Sequence, residues 1–179
     1  VIKLQGSSNE NFVVLGLGRS GMTSARALNA SGANVICWDD DPEKRSLASS
    51  QGLRVIGSVS DFDWESIDRL IISPGVPHHF PSPHPIVSAA VSAGVLIDND
   101  VGLFFQSIAT ESWEKFSVRP RIVAVTGSNG KSTTASLLHH IFLKLGYKSQ
   151  LAGNIGRGVL DIDPPENNEL IVLELSSYQ

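Results

Sequence analysis

Two glycine-rich stretches in this chain hold the residue types that grip phosphate, and each directly follows a short apolar run. The first is GLGRSG, Gly16 to Gly21, which matches G-x-G-x-x-G. In that pattern the first glycine allows a tight turn after a strand. The second lets a diphosphate approach the backbone, and the third lets the following helix pack closely on the strand. Here these are Gly16, Gly18 and Gly21. The helix that follows would offer free N–H groups and about half a positive charge to an anion. Asp39 closes the next apolar run, 23 residues after Gly16, where an acid hydrogen-bonds a nucleoside. The expectation is a diphosphate-containing ligand. NAD is one such ligand, but the motif alone does not select it.

The second stretch is TGSNGKSTT, Thr126 to Thr134. It reads as a P-loop, G-x-x-x-x-G-K-[ST], with Val125 where the first glycine belongs. The phosphate-facing positions are intact. Backbone N–H groups of Gly127, Ser128, Asn129, Gly130, Lys131, Ser132 and Thr133 would wrap the phosphates of ATP. Lys131 would bridge the β- and γ-phosphates, and the Ser132 hydroxyl would ligate Mg²⁺. Downstream, LIVLEL carries Glu174 near the end of an apolar run, where a carboxylate reaches the metal. The expected metal ligands are therefore Ser132 and Glu174, and the expected catalytic pair is Lys131 and Glu174. No Ser/His/Asp arrangement is legible around them.

Both loops need strands to present them and helices to receive them. FVVL, NVICW, RLIIS and VLIDND read as strands. GMTSARALNASG, DPEKRSLASSQG, HPIVSAAVSAG and VGLFFQSIA read as the intervening helices. Asp41 before Pro42 reads as a helix cap rather than a ligand. Strands alternating with helices predict an α/β fold with a parallel sheet. TESWEKFSVRP is polar, ends in proline and breaks the rhythm, so it reads as a linker. Beyond it come strand RIVAVT, the second loop, helix STTASLLHHIFLKLG, loop AGNIGRG and strand LIVLEL. The expected organisation is a Rossmann-like domain over 1–112, a linker over 113–120 and a partial P-loop domain over 121–179. About two strands and one helix would leave that second sheet with open edges. The expectation is therefore a piece of a longer protein that is able to self-associate.

Composition narrows the class. Of the 179 residues 41% are hydrophobic, enough for a packed core. The net charge is −4 with Lys and Arg scattered, which argues against a nucleic-acid partner. The single cysteine, Cys37, sits in an apolar run and suits a reducing compartment. No apolar stretch approaches the roughly 20 residues of a membrane helix, and the first residues lack a signal-like apolar core. The predicted setting is the cytoplasm, with no membrane span. His78, His79 and His84 lie in a proline-rich stretch and read as a solvated loop by the substrate cleft. His139 and His140 read as surface or edge residues.

Taken in order, TGSNGKSTT, AGNIG and LELSSYQ resemble the Mur ligases, the ATP-dependent amide-forming enzymes of peptidoglycan synthesis. VVLGLGRSGMTSARAL, SPGVP, HP and DNDVGLF resemble the D-glutamate-adding branch of that family. The resemblance covers essentially the whole chain. It implies a longer parent, a monomer of three domains. The first would hold the UDP of UDP-N-acetylmuramoyl-L-alanine, the second ATP and Mg²⁺, and the third would help bind ATP and D-glutamate. By this resemblance Gly18, Arg19, Ser20 and Gly21 lie at the diphosphate. Asp39, Asp40 and Gly75 face the uridine, and Asn154 reaches the sugar or diphosphate. Ser176, Ser177 and Gln179 lie near the reacting carboxylate. Gly102 departs from the glutamate usual at its position. The chain would bind the UDP substrate without completing the reaction. Three other readings stay open: a NAD-binding oxidoreductase or regulator, another Mur-type or folylpolyglutamate ligase, and a P-loop binding module.

Overall fold

The apolar runs and glycine turns form two parallel sheets in the computed structural model, which describes residues 2, 4, 6–110 and 113–176. Ser177 and Gln179 lie outside the described residues. The first sheet has four strands, β1 (Asn11–Leu15), β2 (Asn34–Trp38), β3 (Arg69–Ile72) and β4 (Leu96–Asp98), in the order β2-β1-β3-β4. Between them run α1 (Arg19–Ala30), α2 (Pro42–Ser50) and α3 (Pro85–Ser92), and α4 (Asp100–Thr110) follows β4.

β1 is buried on both faces, which is why it reads as an unbroken apolar run. Its Phe12 and Val14 join one core with Met22, Ala25 and Leu28 of α1 and Leu103 and Phe104 of α4. Its Val13 and Leu15 join the other, with Leu70 and Ile72 of β3 and Ile86, Val87 and Ala90 of α3. Side chains of period two thus meet helices on both faces.

The second sheet orders β5 (Arg121–Val125), β7 (Leu170–Glu174) and β6 (Ser149–Gly153) as β5-β7-β6, all parallel. α5 (Lys131–Lys144) leads from β5 to β6. The strand β6 corrects the expectation of about two strands. Its sequence, SQLAG, has no β-branched or aromatic residue. It is a strand because β7 pairs with it over five residues, so tertiary pairing overrides propensity. Central β7 is buried throughout, as its apolar run predicts.

The two sheets share one core. Leu160 and Ile162, from the turn after β6, and Ile171 and Leu173 of β7 join the cluster that contains α1 and α4. Burying each such side chain stabilises by roughly 1.5–3 kcal/mol. Residues 117–121 are tied to 167–169 by Ser117 N–H to Asn167 Oδ1 at 3.0 Å and Asn168 N–H to the Val118 carbonyl at 2.8 Å. No helix among the described residues is long and apolar enough to cross a membrane.

Candidate functional site

From β1 the chain steps to one side for β2 and then to the other for β3. Such a reversal leaves a crevice beyond the carboxyl ends of the strands, the usual ligand position in open parallel sheets. A cavity of about 440 Å³ lies there. Its lining includes Gly18, Arg19 and Ser20 from the first loop, Asp39 and Asp40 from the end of β2, and Gly75 after β3. Six of the eight expected UDP-site residues thus line one cavity; Gly21 packs against the Gly16 carbonyl, and Asn154 meets Arg19 through its own carbonyl.

The loop is braced from below. Gly16 adopts φ +88°, and its carbonyl accepts from Ser73 Oγ at 2.7 Å. A Cβ on Gly21 would fall 1.7 Å from the Gly16 carbonyl oxygen, so only glycine lets α1 start this close to β1. A Cβ on Gly18 would meet open space on the cavity side. Asp39 is buried, and its carboxylate accepts from Leu17 N–H at 2.6 Å and Asp41 N–H at 2.9 Å. Lys44 Nζ lies 3.5 Å from it. Asp39 lines the cavity, but two backbone amides already engage its oxygens. Asp41 caps α2 by accepting from Glu43 N–H at 2.9 Å, as read from the proline that follows it.

His84 is where the expectation of a solvated loop fails. Its side chain is only 15% exposed and lines the cavity. The ring accepts from Ile86 N–H at 3.2 Å, capping α3, and its other nitrogen lies 3.1 Å from Asp40 Oδ2. Proline at the first helical position put His84 at the cap, a signal present in the sequence. The His84 hydrogen bond holds the Asp40 carboxyl below its usual range, outweighing partial burial, and Trp38 and Arg45 pull the same way. His78 and His79 remain with each other, their rings 4.8 Å apart.

The second loop is built differently. Gly130, at φ +76°, is the residue before α5, and Gly127 adopts φ +141°. Ser128, Asn129 and Thr133 are exposed. Lys131 Nζ curls back to donate to the Gly127 carbonyl at 2.6 Å. Register pairs Val125 with Glu174, which places that acid beside the start of the loop. The Ser132 hydroxyl donates to Glu174 Oε2 at 3.4 Å, so the two expected metal ligands are adjacent. Glu174 is only 3% exposed. A buried carboxylate meeting a hydroxyl beside a glycine loop is a donor set that fits Mg²⁺ with its hard oxygen preference.

Asn154 connects the two loops. Arg19 Nη2 donates to the Asn154 carbonyl at 2.7 Å, and Asn154 N–H donates to the Glu174 carbonyl at 2.9 Å. Gly153, at φ +106°, makes this approach possible; a Cβ there would sit 2.1 Å from the Glu174 carbonyl oxygen. Nearby, the Thr23 hydroxyl lies 3.1 Å from Asp161 Oδ2, another contact between the halves that the sequence did not reveal. Gly102 also has a local reason: a Cβ there would lie 1.8 Å from Asp98 Oδ1. A glutamate would require Asp98 to move.

Residues 10–98 match the family described as Mur ligase MurD-like, N-terminal domain. The chain is 56% identical over its whole length to the UDP-N-acetylmuramoylalanine--D-glutamate ligase of Roseobacter denitrificans. It is 53% identical to the ligase of the same name from Ruegeria pomeroyi, again over its whole length. It spans 39% and 38% of those relatives. In fold it is similar to the UDP-N-acetylmuramate:L-alanyl-gamma-D-glutamyl-meso-diaminopimelate ligase of Neisseria meningitides. That TM-score is 0.54 at 18% identity, covering 93% of this chain and 52% of the other. The match over the β1–β4 sheet and the identity that continues through the P-loop and β7 lead to one conclusion: the chain belongs to the Mur ligase family, with a MurD-like N-terminal domain.

Proposed function

We propose that the chain is the substrate-holding and phosphate-holding part of a cytoplasmic ligase that adds D-glutamate to UDP-N-acetylmuramoyl-L-alanine using ATP. The observation that carries this reading is the Arg19–Asn154–Glu174 connection, which ties a nucleotide-sized crevice to a P-loop within one core. The UDP of the substrate occupies the cavity. Its diphosphate lies over Gly18 and the α1 N-terminus, near Arg19 and Ser20, with Asp39, Asp40 and Gly75 around the uridine and Asn154 toward the sugar.

ATP lies along Gly127 to Thr133, with Lys131 swung from the Gly127 carbonyl onto its phosphates. Ser132 and Glu174 would hold Mg²⁺, which would supply charge neutralisation at the phosphates. An alanyl carboxylate oxygen takes the γ-phosphoryl group as its bond to the β-phosphate breaks, giving an acyl phosphate and ADP. The amine of D-glutamate then attacks the acyl carbon, and inorganic phosphate leaves. Phosphoryl transfer asks mainly for positioning and preoriented charge, which Lys131 and the loop N–H groups supply. The complete protein, a monomer in this reading, brings the remaining residues.

Calorimetric titration of the chain with UDP, and separately with NADH, tests the reading. We expect UDP to bind and NADH not to. Tight NADH binding without UDP binding would overturn it in favour of a nicotinamide site.

A further inference from the structure

We infer that His84 is a positioning residue that selects the nucleobase: it holds Asp40 as an acceptor toward the ring N3 position, which carries a proton in uracil and none in cytosine. This rests on the uridine diphosphate reading above.

Three bonds fix His84 at the cavity wall. Its N–H donates to the Pro77 carbonyl at 2.9 Å and so closes the turn that leads into α3. Its Nδ1 accepts from Ile86 N–H at 3.2 Å. A ring nitrogen that accepts carries no proton, so the proton of the neutral ring is on Nε2. That nitrogen lies 3.1 Å from Asp40 Oδ2 and therefore donates to it. The other Asp40 oxygen accepts from Trp38 Nε1 at 3.2 Å. Each carboxylate oxygen is thus held by one donor, from β2 on one side and the α3 cap on the other. The His84 bond also favours the ionised form.

An ionised carboxylate accepts and cannot donate, and each oxygen keeps a further acceptor site. Asp40 is exposed and lines the cavity, so those sites are open to a ligand. Uracil offers an imide N–H at the edge where cytosine offers a bare ring nitrogen. A fixed acceptor bonds the first and faces an unpaired acceptor in the second, which is the asymmetry that makes polar specificity large.

Two substitutions separate positioning from capping. In His84→Asn the amide reaches about as far as Nδ1, so it can cap α3 but not touch Asp40; asparagine is a good cap. In His84→Gln the amide reaches about as far as Nε2, so it keeps the Asp40 contact and gives up the cap. UDP and CDP are titrated into the wild-type chain and both variants, with melting curves to confirm folding. We expect the wild type to prefer UDP by roughly tenfold or more, as for a hydrogen bond to a charged group. His84→Gln should keep that preference, and His84→Asn should lose most of it at an unchanged melting temperature. Asp40→Asn, at an exposed position that spares the fold, should also abolish it. A preference that survives in His84→Asn or Asp40→Asn overturns the inference. So does a loss confined to His84→Gln, which would mark a purely capping role. Equal affinity of the wild type for UDP and CDP overturns the inference alone, while binding of neither overturns the ligand reading as well.

Discussion

The chain builds the same unit twice, a strand, a glycine loop and a helix, and supports the two in opposite ways. In the first, β1 is buried on both faces and α1 buries seven residues, Gly21 to Ala25 with Ala27 and Leu28. In the second, β5 is half-open and α5 buries Ala135 alone, with Leu137 and Ile141 exposed a turn apart. The first loop depends on distant partners: Asp39 holds Leu17, Ser73 holds Gly16, and Asn154 receives Arg19. The second largely holds itself, with Lys131 bonded to Gly127 four residues away. A loop over a large cavity must be propped by its surroundings. A loop proposed to wrap phosphate with its own N–H groups needs little beyond its dihedral angles.

The largest effect should separate the two chemically. In the complete enzyme, Lys131→Ala should lower turnover by about 100-fold or more while UDP affinity stays unchanged. Coupled phosphate release measures the first and calorimetry the second. Activity near wild type would break the assignment of the second loop, and a matching loss of UDP affinity would break its independence.

Glycine replacements sharpen the contrast in support. Gly21→Ala would force a Cβ to 1.7 Å from the Gly16 carbonyl oxygen, so we expect a loss of roughly 3 kcal/mol, the upper end for overpacking. A Cβ at Gly130 meets nothing within 4 Å, so Gly130→Ala should cost only the left-handed strain, about 1–2 kcal/mol. Urea melts of both variants would decide. Equal losses would mean that the first loop is no more tightly propped than the second.

The smallest effect concerns how α5 meets β6. His139, read as a surface or edge residue, is half-buried and 2.9 Å from Ser149 Oγ of edge strand β6. Burial, and then the neighbouring His140, lower its pKa below the ordinary value of 6.5. The unfolded chain therefore binds the proton more readily. The contribution of the neutral ring is complete above about pH 6.5 and is lost as pH falls through the lowered folded value. The ring is only half-buried, so water screens its charge and the loss should be small. His139→Asn should remove that slope from stability measured between pH 7 and 5. A slope that persists would place its origin elsewhere.

Legibility follows the same division. Central β7 was readable because LIVLEL is apolar without a break, and burial on both faces demands that. The cap at Asp41 was readable from the proline beside it. β6 was not, because SQLAG has no strand character until β7 pairs with it. His84 was half-readable: the following proline marks the cap, but nothing near it in the chain points to Asp40, 44 residues away.

By itself the sequence determined what each loop is able to do. Glycines that permit a turn, a lysine and a serine opening a helix, and an acid ending an apolar run act through local backbone geometry and nearest neighbours. Only the tertiary structure decided how these parts combine. The contacts that set the first site join residues 22, 57 and 135 positions apart. Such contacts exist only after the two sheets have buried a common core, because that burial offsets the entropy of bringing distant segments together. Asp39 therefore braces the first loop, Asn154 links it to the second, and His84, read from sequence as a solvated residue by the cleft, is instead fixed in its wall against Asp40.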